Sequence, residues 1–249
     1  MSRTADDSRP DRAGFPEDGH TLPCEGVRGE TFPPAGPGAA PRSAAFLETA
    51  AVAFAVPPDD PARFLPFFLT GVAVAVPRPM SVDALFRDIW KLPAGRIADE
   101  LKTVFVNNAP LDDFTRATLA PGDALSLSGP MPGLAGATMR AGGVLAGFRR
   151  GLGRSAAAGG AVPAGDSPFF IEVRLFNILT ETLAGPLLAA GFHAPLGRLL
   201  DFLARQPRPW QAGVLVRHGD RRDALDDCQS DLLDADPESP ALVMARPGE

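Results

Sequence analysis

Short runs in which larger apolar residues alternate with smaller ones recur along the chain, and this period of two predicts β-strands. The clearest run is Gly71–Val76, where three valines fall on one face of the predicted strand. Asn107 and Asn108 follow another β-prone run and tolerate the positive φ of a tight hairpin turn. The predicted strands are Ala51–Val56, Gly71–Val76, Thr103–Val106, Ala124–Leu127, Phe169–Phe176, Gly213–Val216 and Ala241–Met244.

Three segments have the spacing of helices. Ser81 is a suitable N-cap for apolar residues at helical spacing, and Pro93 is expected to end that helix. A helix is also predicted at Leu179–Ala190, although Pro186 interrupts it, and a more clearly amphipathic helix begins at Leu196. Helices mixed with strands predict the α+β class.

Composition divides the chain into structured blocks and low-complexity stretches. Residues 1–41 hold seven Pro and six Gly among few apolar residues, so we predict a disordered tail there. Residues 149–166 are rich in Gly and Ala and are predicted to be a flexible linker. Two domains remain, residues 42–148 and 167–249, and the second loosely repeats the order of elements in the first.

Charge and cysteine content exclude several classes of protein. The 249 residues include 24 Lys and Arg against 30 Asp and Glu, and the net charge of −6 argues against a general nucleic-acid binder. Cys24 and Cys228 are too few for a disulfide scaffold or a four-cysteine zinc site.

No secretion signal or membrane span is predicted. The N-terminus lacks the apolar core of a signal peptide, and the longest apolar run, Phe64–Val76, is too short to cross a bilayer. We therefore expect a cytoplasmic protein without membrane contact. The Ala, Pro, Gly and Arg bias is typical of a GC-rich bacterial genome.

Residues 103–113 (Thr-Val-Phe-Val-Asn-Asn-Ala-Pro-Leu-Asp-Asp) and 119–127 (Leu-Ala-Pro-Gly-Asp-Ala-Leu-Ser-Leu) place a strand, a hairpin, a Gly-Asp turn and a last strand in succession. This order resembles the C-terminal half of the ubiquitin-like β-grasp proteins. It is most similar to the small sulfur carriers of molybdopterin and thiamine biosynthesis. The resemblance implies that residues 42–148 form a β-grasp domain, and a degenerate β-grasp is one interpretation of the second α+β unit.

The sulfur carriers end in Gly-Gly, because their terminal carboxylate is adenylated and then thiolated. This chain continues beyond Gly143, so a carrier role would need cleavage after that residue. The resemblance then implies that Gly143 is the sulfur acceptor and that an adenylating enzyme is the partner. Without cleavage, it implies that the fold is kept while the chemistry is lost.

The Gly-rich segment Gly129–Gly143 is the main candidate for contact with a partner protein. Its interpretations are a mobile tail that threads into a partner, a nest of backbone N–H groups for an anion, and a plain loop. No Gly-rich phosphate-binding pattern is present, and no cofactor is predicted. The candidate contact residues are Gly129, Met131, Gly133, Gly136, Gly142 and Gly143.

The remaining polar residues indicate no catalytic or metal site. Asp220–Glu238 contains eight carboxylates without the spacing of a calcium loop and is interpreted as a solvated acidic loop. His193 is expected in a loop, and His218 with Cys228 makes a poor nucleophile pair, because acidic neighbours raise a thiol pKa. Asp112 and Asp113 are adjacent, so they would face opposite sides of a strand.

These observations favour a non-enzymatic protein, either sulfur-carrier-like or an adaptor that acts through protein–protein contact. The alternative from another class is a small enzyme with a site in the cleft between the two domains. A third alternative is a structural or regulatory module that offers a sheet edge to a partner. The sequence leaves the oligomeric state open.

Overall fold

The computed structural model of the chain describes residues 52–149, 167–218 and 221–246. The predicted tail at residues 1–41 lies outside these ranges, as do Cys24, His20 and all but the first residue of the predicted linker. Within the described ranges, helices and one mixed sheet place the fold in the α+β class, as predicted.

The sheet contains ten strands in the described residues. Each strand predicted from the alternation is present, with bounds that differ by two residues at most. The strands are β1 (Val52–Val56), β2 (Val72–Val76), β3 (Thr103–Val106), β4 (Ala109–Pro110), β5 (Ala124–Ser128), β6 (Phe169–Phe176), β7 (Phe192–Pro195), β8 (Leu215–His218), β9 (Arg221–Ala224) and β10 (Pro240–Ala245).

Short helices connect most of the strands. One 3-10 turn, Pro61–Phe64, leads into the first helix, and a π-helical turn, Leu85–Ile89, continues the second. The helices are α1 (Leu65–Thr70), α2 (Val82–Ala84), α3 (Ala94–Glu100), α4 (Gly133–Met139), α5 (Leu179–Ala190), α6 (Leu196–Ala204), α7 (Arg208–Gln211) and α8 (Leu225–Leu233).

Local sequence signals explain several of these element boundaries. The Ser81 hydroxyl accepts a hydrogen bond from the Ala84 N–H at 3.1 Å and so caps α2, as predicted. Asn107 and Asn108 have φ values of 52° and 65°, which is the left-handed conformation expected for the β3–β4 turn. The Asn107 amide also donates to the buried Asp123 carboxylate at 2.7 Å and thereby ties this turn to the start of β5.

Two local predictions were wrong. His193 lies in strand β7 and not in a loop. The helix that Ser81 caps ends before Pro93, as predicted, but Pro93 also precedes a second helix, α3, which no pattern indicated. The segment Asp220–Glu238 is not a loop throughout, because β9 and α8 occupy much of it, and Leu225, Cys228 and Leu232 on one side of α8 join the core.

The strands lie in the order β4-β3-β5-β6-β2-β7-β10-β1-β8-β9. Neighbouring strands are antiparallel except for two pairs, β5 with β6 and β10 with β1. Counted from either edge of the sheet, the third pair is the parallel one. The pattern of strand directions is therefore the same from both edges, and the antiparallel pair β2–β7 lies at the centre.

The two blocks predicted from composition share this sheet. β6, from the second block, lies between β5 and β2 of the first block. β1, from the first block, lies between β10 and β8 of the second block. The blocks therefore do not form separate sheets, and each contributes one strand to the half of the sheet that is otherwise built by the other.

One face of the sheet packs against the helices and forms the main core. Phe54 of β1, Val74 of β2 and Ile171 of β6 point to this face, together with apolar residues from α1, α5 and α6. The opposite face has a second apolar cluster with Ala53, Ala55 and Leu215, and Phe170 and His193 are also buried there. The core thus lies between the sheet and the helices on one side.

Candidate functional site

The Gly-rich segment Gly129–Gly143 leaves the sheet at the end of β5. Gly129 is buried, and a Cβ atom at this position would lie 2.9 Å from Cγ2 of Ile178, beside the first residues of α5. Any larger residue at position 129 would have to displace Ile178. Glycine therefore lets the chain pass close to α5 as it turns away from the sheet.

The middle of the segment forms helix α4. Gly133 begins the helix with a φ of 77°, a conformation that glycine adopts without strain. Gly136 is buried against the half-buried Met131, and a Cβ atom at Gly136 would lie only 1.9 Å from the Met131 carbonyl oxygen. The two glycines thus allow α4 to fold back over the residues that precede it.

Hydrogen bonds from three backbone N–H groups hold the end of the segment in place. The Ala141 N–H donates to the Lys102 carbonyl oxygen at 2.8 Å, and the Gly142 N–H donates to Asp112 Oδ1 at 2.9 Å. The Gly143 N–H donates to the Arg140 carbonyl oxygen at 3.1 Å. Three successive N–H groups therefore already have acceptors, and an anion nest at this point would have to break those bonds.

Large apolar side chains project from this part of the chain into solvent. Leu134 on α4 is 74% exposed, and Val144 and Phe148 in the following 3-10 turn (Val144–Arg149) are 101% and 83% exposed. We call Leu134, Val144 and Phe148 the exposed apolar group. The other large apolar residues that the structure shows as exposed are all less exposed: Leu65, Leu69, Phe176, Ile178 and Leu233.

Asp112 and Asp113 have separate partners, although they are adjacent. Asp112 Oδ1 accepts the bond from Gly142, on the Gly-rich segment. Asp113 Oδ1 accepts bonds from the Thr115 hydroxyl and N–H at 2.6 and 3.0 Å, and these bonds lower the pKa of the Asp113 carboxyl. The two carboxylates therefore fix turns, and they do not share a reacting group as general acid–base pairs do.

Cys228 lies on the side of α8 that faces the core. Its thiol contacts the Ala224 and Leu225 carbonyl oxygens at 3.4 and 3.6 Å. Burial, together with the charge of Asp223, raises the pKa of the Cys228 thiol to about 11, so the reactive thiolate is scarce at neutral pH. This environment is that of a structural cysteine, and His218 lies exposed in β8.

His193 is a buried polar residue that the sequence reasoning placed in a loop. Its ring meets Phe170 edge-on at a centroid distance of 4.8 Å, above the small side chains of β2. Nδ1 is buried without a hydrogen-bond partner, and burial lowers the pKa of His193 to about 4. The imidazole is therefore neutral at pH 7. In the sequence His193 lies between two helices, so no local pattern indicated a strand.

The exposed apolar group was not predicted from the sequence. The available signal was three large apolar residues isolated among Gly, Ala and Arg, with no helical or strand period to bury them. The predicted contact residues and these side chains lie in one continuous stretch of the chain, residues 129–148.

Neither metal ligands and membrane-spanning helices in the described residues nor known proteins indicate what residues 129–148 do. Among the described residues, no three His, Cys, Asp or Glu side chains come together as metal ligands. None of the helices in the described part of the chain combines the length and the apolar character needed to cross a membrane. No protein-family model, curated protein or solved structure matches this chain.

Proposed function

We propose that this protein is a non-enzymatic adaptor that binds another protein through Leu134, Val144 and Phe148. The observation that carries the proposal is the concentration of the three most exposed large apolar side chains of the described residues in one short stretch. Apolar side chains that protrude together from a surface are typical of protein-binding sites.

The geometry of residues 129–148 supports a defined binding element. The hydrogen bonds from Ala141 and Gly142 fix the turn between α4 and the 3-10 turn, so Leu134 and Val144 project from an ordered backbone. An ordered binding element loses less conformational entropy when a partner binds. Transfer of each side chain into an apolar pocket contributes roughly 1.5–3 kcal/mol.

We also propose that the strands β4, β3, β5, β6 and β2 form a β-grasp sheet. In a β-grasp sheet the last strand pairs in parallel with the first, and the first pairs antiparallel with the second. Here β5 pairs in parallel with β6, and β6 pairs antiparallel with β2. In this proposal β6 takes the place of the first strand although it comes last in the chain.

The adaptor proposal is tested by quantitative co-purification of the tagged full-length chain from the cytoplasmic fraction of its native cells. In the variant Leu134→Ser/Val144→Ser/Phe148→Ser, we expect the recovery of a specific partner to fall about tenfold or more, which corresponds to ~1.4 kcal/mol. The binding constant of the identified partner, purified separately, should fall by a similar factor.

The matched control is Leu65→Ser/Leu69→Ser/Leu233→Ser, which removes the same number of exposed apolar side chains elsewhere on the surface. This control should bind the partner as the unmodified chain does. The adaptor proposal is wrong if both triple variants lose the partner equally, or if neither does.

The sulfur-carrier function is a second candidate, and one observation favours it. Val144 is fully exposed and Gly142 is exposed as well, so a protease can approach the bond that follows Gly143. Cleavage there would release a chain that ends in Gly142-Gly143. An adenylating enzyme would then be the partner, and it would activate the new carboxylate of Gly143.

Intact-mass measurement of the protein from its native cells separates the two candidates. A fragment that ends at Gly143, heavier by the difference between sulfur and oxygen and reactive with a thiol-alkylating reagent, would support the carrier. A full-length chain without modification would exclude the processed carrier, and the adaptor would remain.

A further inference from the structure

Each half of the chain contributes one strand to the part of the sheet that is otherwise built by the other half. We define the first half as residues 52–149 and the second half as residues 167–246. Every strand neighbour of β1 comes from the second half, and every strand neighbour of β6 comes from the first half. Both strands are the first of their half, so the exchange is reciprocal.

The two halves also have nearly the same order of elements. Each runs strand, helix, strand, two helices and then two strands joined by a hairpin, followed by a final strand. The halves differ in two places: α8 is inserted before the final strand of the second half, and α4 with the 3-10 turn Val144–Arg149 follows the final strand of the first half. A half-turn about an axis through the sheet between β2 and β7 reproduces the pattern of parallel and antiparallel pairs, although it places β1 on β5 and β6 on β10.

We infer that a second copy of this chain is a binding partner, and that each copy can supply the half that completes the other. In the resulting dimer, β6 of one copy lies between β5 and β2 of its partner, and β1 lies between β10 and β8 of its partner. This inference is independent of the proposed function, because it uses none of the exposed apolar group.

The physical reason is that exchange preserves the contacts. The strand pairs and the core are the same whether the two halves belong to one chain or to two, which makes such exchange a low-cost route to dimers. The ratio of dimer to monomer then depends on protein concentration, because two binding segments joined by a short flexible linker have an effective concentration of about millimolar. We therefore expect the dimer to form when concentrated protein folds.

The test uses neighbouring positions on β5 and β6. Ser126 and Arg174 are paired in register and half-buried on the face of the sheet opposite the helices. Full-length Ser126→Cys and Arg174→Cys chains, in a Cys24→Ser/Cys228→Ala background, are unfolded, mixed and refolded together at high concentration. A short bis-maleimide is then added, and we expect a cross-linked heterodimer.

The control mixture pairs Ser126→Cys with Phe105→Cys. These positions are also neighbours, on β3 and β5, but both belong to the first half and stay together during exchange. Chains carrying both cysteines of either pair should cross-link internally, which verifies folding and reach. A heterodimer yield several-fold higher in the Ser126→Cys/Arg174→Cys mixture supports exchange, and equal yields, including none in either mixture, overturn it.

Discussion

In strand β2 the two faces of the sheet carry side chains of different size. Val72, Val74 and Val76 point to the helices, whereas Ala73 and Ala75 point to the opposite face. The helix-covered face is filled by large aliphatic and aromatic groups. The difference shows that alternation of size within a wholly apolar strand can indicate which face receives the helices.

The small residues on the opposite face have their own packing role. Ala73 is paired with His193 of β7, and Ala75 with Phe170 of β6. The rings of His193 and Phe170 meet at 4.8 Å although β2 lies between their strands, so both rings lean over β2. The alanines leave the space that this ring contact requires.

The largest effect is expected from removing a ring on the helix-covered face. Phe192 is fully buried, and its ring lies 5.3 Å from that of Phe68 and 5.8 Å from that of Phe64. Phe192→Ala should lower the free energy of unfolding by about 3–5 kcal/mol, because it leaves a cavity. Urea denaturation measures this loss. Phe176→Ala, at a partly exposed position on the opposite face, should lower the free energy of unfolding far less. Equal losses in the two variants would contradict the difference between the two faces.

A smaller effect is expected from pH at His193, on the opposite face. Its pKa is about 4 in the folded chain and 6.5 when unfolded, so the unfolded chain binds the proton first as pH falls. The contribution of the neutral His193 to the free energy of unfolding is therefore fully present above pH 6.5. It declines towards pH 4 and changes no further below pH 4. The total loss is roughly 3 kcal/mol.

The measurement compares urea denaturation of the unmodified chain and of His193→Phe at several pH values. The phenylalanine keeps a ring against Phe170 but cannot be protonated. The difference in stability between the two chains should therefore change between pH 6.5 and 4. A constant difference would mean that His193 is not buried as a neutral group.

The next prediction concerns the space above Ala73 in β2, beneath the rings of His193 and Phe170. Ala73→Val adds two methyl groups beneath the ring contact and should cost about 1–3 kcal/mol through overpacking. Phe170→Leu in the same chain should recover part of this loss, because the smaller side chain leaves room. Additive losses in the double-mutant cycle would show that Ala73 and the Phe170 ring do not compete for space.

Much of the local structure could be predicted from the sequence. The valine run predicted β2, Ser81 predicted the start of α2, and the Asn107-Asn108 pair predicted a turn. These features depend on residues close together in the chain. β7 was missed because it has four residues, includes a histidine and lies between two helices, so no period could develop.

The arrangement of the strands could not be predicted in the same way. β1 is apolar throughout and β6 alternates apolar with charged residues, and nothing local distinguishes a strand that pairs within its own half from one that pairs with the other half. The same limit applies to α4, where glycines predict poor helix formation but Gly136 is needed for contact with Met131. In both cases the deciding contacts are not visible in a local pattern.

The smallest effect is expected outside both faces of the sheet, at the exposed apolar group. Val144 is fully exposed, and Leu134 and Phe148 are mostly exposed, so their replacement by serine removes little packing. Each substitution should change the free energy of unfolding by less than about 0.5 kcal/mol in urea denaturation. A loss comparable to that of Ala73→Val would mean that these side chains pack within the chain itself. They would then be unavailable to a partner, and the adaptor proposal would lose its binding surface.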